Sequence, residues 1–290
     1  MRYSSRAVSH RLFHSIVAHE GQRPERWALF LHGILGSGSN WRTFAKRVLA
    51  ERPSWGAVLV DLRMHGNSQD LQPPHTVAAC AEDLFALHAV LPARASAVIG
   101  HSFGGKVSLA YAALREQLSV PLEAVVSVDS NPGLREDATG SAQIRDVLSA
   151  LESLPAVIAS REAFTAHMKS RCLSSAITAW LMMNLRPADG GFALRLNLPA
   201  IHEMLADYFA RDDWSLIEAP GAAHTTMVIG GRSPAFSAAE RERVRSAALA
   251  HPEHVSMEVI EDAGHWVHVD APDELHAIVV KALARAEQWA

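Results

Sequence analysis

Short apolar runs alternate with helix-length stretches along most of this chain. Trp27 to Leu31, Ala57 to Val60, Ala97 to Ile99, Ala124 to Val128 and Met227 to Ile229 are nearly continuous in apolar residues, as strands buried on both faces must be. Val255 to Ile260 instead alternates, with Ser256 and Glu258 between Val255, Met257 and Val259, which suits a strand nearer the sheet edge. Strands fed by helices in this rhythm predict an α/β fold, a mostly parallel central sheet with helices on both faces. Ser237 with Glu240 forms a capping box, and Pro272 opens a helix whose apolar face includes Leu275, Ile278 and Val279.

From Gly133 to about Ser215 the strand signal disappears and helical periodicity takes over, punctuated by Pro155, Pro187, Gly190, Gly191 and Pro199. This stretch, residues 133–215, is expected to be a helical cap inserted into a core made of residues 1–132 and 216–290. Arg11 to His19 reads as the opening strand, with Leu12, His14, Ile16 and Ala18 on one face and a hairpin turn at Gly21. The first 19 residues carry Arg2, Arg6 and Arg11 among serines and no acid, a pattern shared with organelle transit peptides. The strand is the preferred interpretation, because removing that stretch would take a strand from the fold.

Bulk composition narrows the classes. Of 290 residues 49% are apolar, enough for a large core, and 27 basic against 31 acidic side chains are mixed without a long run of either sign. Nucleic acid is therefore not an expected partner. Only Cys80 and Cys172 are present, both in segments that read as helix. Two buried thiols in a reducing, cytoplasmic setting are expected rather than a disulfide framework. No apolar run reaches the roughly 20 residues a membrane span requires, so a soluble monomer or small homo-oligomer is expected.

The strongest chemical signal is Gly100-His101-Ser102-Phe103-Gly104, placed directly after the run Ala97 to Ile99 and directly before a helical stretch. A serine on such a strand-to-helix turn has its hydroxyl lifted clear of the sheet, with small glycines on either side permitting the sharp bend. A hydroxyl is a weak nucleophile at neutral pH and needs a base. Among 16 histidines, His265 stands out, because Ala263-Gly264-His265-Trp266 follows the last strand where a loop returns over the carboxyl ends. His32, His65 and His101 flank glycines in turns and are expected mainly as structural hydrogen-bonding residues. His251 with His254, and His265 with His268, have metal-like spacing, but no carboxylate or cysteine cluster accompanies either pair, so no metal is expected.

The base needs a carboxylate to fix its tautomer, and behind a serine elbow the chain order runs serine, acid, histidine. Asp129 ends the run Ala124 to Val128, whereas Val228-Ile229-Gly230-Gly231-Arg232-Ser233-Pro234 after the next strand offers no acid before Glu240. Asp129 is thus the expected acid and Asp262 the reserve. An oxyanion requires aimed backbone amides. One is expected from Phe103, the other from the loop His32-Gly33-Ile34-Leu35-Gly36, with Ile34 the first choice and Leu35 the alternative.

With Leu31-His32-Gly33, the segment Asp61-Leu62-Arg63-Met64-His65-Gly66-Asn67-Ser68, the elbow and Ala263-Gly264-His265-Trp266 in order, the chain resembles an α/β-hydrolase from end to end. It is most similar to the small carboxylesterases that include the abhydrolase-domain esterases of mitochondria and their bacterial counterparts. That resemblance rests on Gly100 to Lys106, Gly264 to His268, Asn197-Leu198-Pro199-Ala200-Ile201 and Gly230-Gly231-x-Ser233-Pro234. It implies a triad acid on the strand after the nucleophile, in agreement with Asp129, and a supporting role for Ser233. Arg232 departs from the asparagine expected there.

The resemblance is poorest in the cap. There Met168, Trp180, Met182, Met183 and Met204 are candidates for an acyl pocket; across core and cap together, Leu35, His101, Trp180, Met183 and Trp266 are candidate substrate contacts. The expected activity is hydrolysis of a small acyl ester by a serine carboxylesterase, without a cofactor. A carbon–carbon bond hydrolase or a peroxide-using relative would use similar groups, and a ligand receptor that retained its triad is the non-enzymatic alternative. A serine at the elbow argues against haloalkane dehalogenase and epoxide hydrolase.

Overall fold

The apolar runs assemble into a seven-stranded sheet in a computed structural model that describes residues 12–93, 95–135 and 142–288. In chain order the elements are β1 (His14–Ala18), β2 (Arg26–Leu31), α1 (Arg42–Glu51), β3 (Trp55–Val60), α2 (Val77–Leu87), β4 (Ala95–His101), α3 (Phe103–Gln117) and β5 (Ala124–Val128). There follow α4 (Ala142–Glu152), α5 (Arg161–Ser170), α6 (Ser175–Met182), β6 (Leu185–Ala188), β7 (Gly191–Leu194) and α7 (Leu198–Ala210). The chain ends with α8 (Ser215–Glu218), β8 (His224–Gly230), α9 (Ala238–Ala250), β9 (Val255–Ile260), α10 (Val267–Asp270) and α11 (Pro272–Ala286). The main sheet has the order β1-β3-β2-β4-β5-β8-β9, parallel except for β1.

Successive strand residues face opposite sides, and both sides are covered. Ala28 and Phe30 of β2, with Ile99 of β4 and Val126 of β5, pack on Val48 of α1 and Leu275 and Val279 of α11. Leu29 and Leu31, with Val98 and Val125, face Leu84 of α2, Val107 of α3 and Val244 of α9. The alternating run β9 is an edge strand and the continuous run β5 an inner one, as their patterns predict. Strand order reverses between β2 and β4, so the loops leaving those neighbours diverge and open a crevice at the carboxyl end of the sheet.

Four sequence expectations change. β1 pairs antiparallel with β3 instead of forming a hairpin with β2, which is enclosed between β3 and β4; Gly21, at φ 74°, still makes the turn. As an edge strand β1 buries Val17, while Ile16 is 43% exposed, so the predicted face is the wrong one. Residues 133–215 contain, besides helices, the hairpin β6–β7, which turns on Gly190 and Gly191; Pro187 and partial exposure conceal its strand pattern. Cys80 is buried in α2, but Cys172 is exposed, because it lies beyond the end of α5 at φ 59° rather than on a packed helical face. Arg2, Arg6 and Arg11, and with them the transit-peptide pattern, fall outside the described residues. Among the described residues no helix is long and apolar enough to cross a membrane.

Candidate active site

Ser102 alone separates β4 from α3, at φ 53° and ψ −117°. A non-glycine residue held there costs on the order of 1–3 kcal/mol, which the surrounding contacts must offset. The Ser102 amide donates to the Val128 carbonyl at 2.9 Å, fastening the turn to β5, and the Ser102 carbonyl accepts from Gly105 at 2.8 Å. Both flanking glycines are required by space. A Cβ on Gly100 would meet the Gly104 carbonyl oxygen at 2.1 Å, and one on Gly104 would meet the Leu31 and His32 oxygens at 2.7 and 2.6 Å.

His265 sits between β9 and α10, and the loop brings its ring over the elbow. Its Nε2 lies 3.1 Å from Ser102 Oγ and its Nδ1 2.7 Å from Asp129 Oδ2. Asp129, fully buried just past β5, is held by its own amide donating to Val228 at 2.7 Å. Its Oδ1 accepts from the Gly230 amide at 3.0 Å, and its Oδ2 also accepts from Ser233 Oγ at 2.5 Å. With Oδ2 accepting from Nδ1–H, the imidazole presents its Nε2 lone pair to the serine hydroxyl. Asp262 stays away from His265. It lies exposed in the turn after β9, and its carbonyl takes the guanidinium of the exposed Arg232, which does not enter the cavity.

The loop after β2 is shaped by two buried histidines. His32 donates from Nδ1 to Gly33 O at 2.7 Å and accepts at Nε2 from the Leu62 amide at 3.0 Å. His65 donates from Nδ1 to Arg63 O at 2.9 Å and accepts at Nε2 from the Leu35 amide at 3.1 Å. Accepting an N–H requires a neutral ring, and burial lowers His32 to about 4 and His65 to about 3. Asp61 braces the same loop by accepting from Gly38 and Asn67, each at 2.8 Å. Leu35 is thereby excluded from both its expected roles. Its amide is engaged by His65, and its side chain is fully buried outside the cavity. The Ile34 and Phe103 amides have no acceptor among the described residues, and both residues line the cavity beside Ser102.

His101 lines that cavity as well, but its Nε2 donates to the main-chain oxygen of His265 at 2.7 Å, and burial holds its pKa well below the ordinary value. It is a neutral strut for the loop of His265. Lys106, one turn along α3 from Ser102, is fully buried; its ammonium donates to the carbonyls of Gly133, Tyr208 and Arg211 at 2.9, 2.8 and 2.9 Å. It also lies 4.6 Å from the centre of the Tyr208 ring. It joins both ends of the inserted segment to the helix of Ser102. A lysine on an apolar helix face was the sequence signal for it.

A cavity of about 340 Å³ surrounds Ser102 and His265. Trp180 and Trp266 line it with ring centroids 4.6 Å apart, as expected of both. Met183 does not: it is 52% exposed and borders a separate cleft beside Arg42 and Arg195. Met168 and Met204 are fully buried in packing and Met182 packs against the same core, so the thioethers are structural. Sequence reasoning missed Arg135 and Tyr208, which line the cavity from positions outside any recognised motif, and weighed His268 only for metal spacing although it lines the cavity too. Among the described residues no group of three metal-ligating side chains occurs.

A serine elbow on this sheet, crossed by a histidine and backed by an aspartate, defines an α/β-hydrolase architecture. Residues 28–278 match the model of the Alpha/beta hydrolase family, and the chain belongs to that family. It is 31% identical to the sn-1-specific diacylglycerol lipase ABHD11 of Xenopus laevis over 86% of this chain and 77% of that one. It is 27% identical to Esterase YbfF of Escherichia coli, covering 89% of this chain and 91% of the relative. Among solved structures, a marine microorganism esterase superposes with a TM-score of 0.76 at 20% identity, over 94% of this chain and 99% of that one.

Proposed function

We propose that this protein is a serine carboxylesterase acting on small or short-to-medium acyl esters through an acyl-enzyme on Ser102. The observation that carries the reading is the continuous relay from Ser102 Oγ through His265 to Asp129, at 3.1 and 2.7 Å, on the wall of an apolar cavity. Esterase and lipase relatives that span most of the chain support an ester-acting hydrolase.

In this mechanism His265 Nε2 takes the hydroxyl proton as Ser102 Oγ adds to the ester carbonyl, and Asp129 stabilises the imidazolium. The Ile34 and Phe103 amides receive the tetrahedral oxygen, each worth roughly 3 kcal/mol of barrier by analogy with oxyanion-hole donors elsewhere. The amino end of α3, which begins at the residue after Ser102, adds a favourable dipole. Collapse expels the alcohol with the proton from His265. Water, deprotonated by the same ring, then releases the acid. Ser233 and Gly230 hold Asp129 in place, and residues 133–215 act as the cap that closes the acyl side.

The test is turnover of a short-chain nitrophenyl ester together with labelling by a fluorophosphonate. Wild type is expected to turn over and to label once at Ser102, and Ser102→Ala to lose at least about a thousandfold in kcat without loss of fold. Full turnover by Ser102→Ala would overturn the reading. Stoichiometric labelling of wild type without steady turnover on an ester panel would support the receptor alternative.

A further inference from the structure

The cavity around Ser102 contains a cation that the ester chemistry does not use. The Arg135 amide donates to Phe209 O at 2.8 Å, fixing the backbone, and Nη1 donates to the Ala235 carbonyl at 3.1 Å. Among the described residues its remaining guanidinium donors meet no acceptor and it pairs with no carboxylate. Glu240 feels its charge, but the Oε2 of that carboxylate accepts from the Ser237 amide and hydroxyl, each at 2.7 Å. Arg135 is half-buried, and among the described residues lining the cavity it is the one lysine or arginine. The wall it shares is apolar, with Ile144, Val147, Leu205 and Phe209. Among the described residues this partly buried guanidinium has one carbonyl hydrogen bond and the charge of Glu240 beside it, which leaves donors to spare whose planar arrangement matches a carboxylate.

We infer that Arg135 is a specificity-determining residue which binds a carboxylate carried by the substrate. The preferred esters are then those with a free carboxylate separated from the scissile carbonyl by a short methylene chain that lies along the apolar wall. One cation matches one negative charge; a phosphate dianion would need a second basic group, which the described lining does not supply. This inference rests on the proposed hydrolysis at Ser102 and deepens it.

The experiment compares kcat/KM for monomethyl esters of straight-chain dicarboxylic acids with methyl esters of monocarboxylic acids of matched length. A parallel arm places the carboxylate on the alcohol side, in acetate esters of ω-hydroxy acids. Wild type is expected to prefer the charged member in at least one arm, at an optimum chain length. Arg135→Gln should reduce that charged-to-neutral preference by about 30-fold, the size of a lost charge-assisted contact. Arg135→Glu, with folding verified by circular dichroism, should shift preference toward esters bearing a quaternary ammonium. No preference by wild type in either arm, or an equal loss on charged and neutral esters in Arg135→Gln, would overturn the inference. Failure of the underlying reaction is distinguishable, because it would show as Ser102-independent turnover of the neutral esters.

Discussion

Lys106 donates its ammonium proton to the Gly133 carbonyl at 2.9 Å, tying the first residue of the inserted segment to the helix that begins just after Ser102. The carbonyls of Tyr208 and Arg211, at the far end of that segment, share the same ammonium. One side chain therefore fixes both ends of the insertion against the elbow.

Lys106→Met keeps the length and removes all three bonds, leaving buried carbonyls without a donor. The expected cost is roughly 2–4 kcal/mol in urea unfolding, with faster proteolysis inside residues 133–215. Unchanged stability and unchanged cleavage would show that the tether is dispensable.

Ser233→Ala removes one of two donors at Asp129 Oδ2 while leaving His265 and Gly230 in place. The carboxylate then has more freedom to rotate away from the imidazole. A fall of about tenfold in kcat with little change in KM is expected, consistent with about 1–2 kcal/mol from a hydrogen bond to a charged acceptor. A rise in KM alone would assign Ser233 to substrate binding instead.

Gly104→Ala tests the packing of the elbow. Its Cβ would stand 2.6 Å from the His32 carbonyl oxygen and 2.7 Å from that of Leu31, both backbone atoms of the strand and loop behind it. The variant is expected to lose several kcal/mol of stability or to lose esterase activity through displacement of Ser102, measured by thermal unfolding beside turnover.

The buried pair His32 and His65 makes stability fall with acid. Both folded-state values, about 4 and about 3, lie below the ordinary 6.5, so in mild acid the unfolded chain binds protons that the folded chain refuses. Their contribution is complete above about pH 6.5 and is lost as pH falls through about 4 and then about 3. Urea midpoints should drop by an amount equivalent to a few kcal/mol between about pH 7 and about pH 4. His65→Gln should flatten part of that slope, and an identical slope in the variant would assign the acid sensitivity elsewhere.

Trp180→Ala should alter KM across an acyl-length series, because Trp180 lines the cavity against Trp266. Met183→Ala should leave the same series within about twofold, because its side chain is half exposed and faces a different cleft. Equal effects would place the acyl chain along a route other than the cavity around Ser102.

Much of this was legible in the chain, for local reasons. The strands β2 to β5 and β8 are continuous apolar runs, and Gly100 and Gly104 announce a bend that only small residues permit, so fold class and the Ser102 elbow follow from short segments. Asp129 and His265 were legible as strand-end and loop residues, because chain order and strand ends restrict where an acid and a base can stand. The β6–β7 hairpin was concealed by Pro187 and by its partial exposure, and the buried face of β1 was misread because pairing with β3 decides which side of an edge strand is covered.

The sequence by itself determined the parallel sheet, the turn that lifts Ser102 and the helices between β5 and β8, since each depends on neighbours a few residues apart. Tertiary structure alone decided that His65 would occupy the Leu35 amide, that Ser233 would reach Asp129, that Lys106 would gather three distant carbonyls, and that Arg135 would line the cavity. Those outcomes depend on distances between residues separated by about 30 to more than 100 positions, as Leu35 and His65 or Asp129 and Ser233 are. Periodicity along a chain carries no information about which side chains such separations bring together.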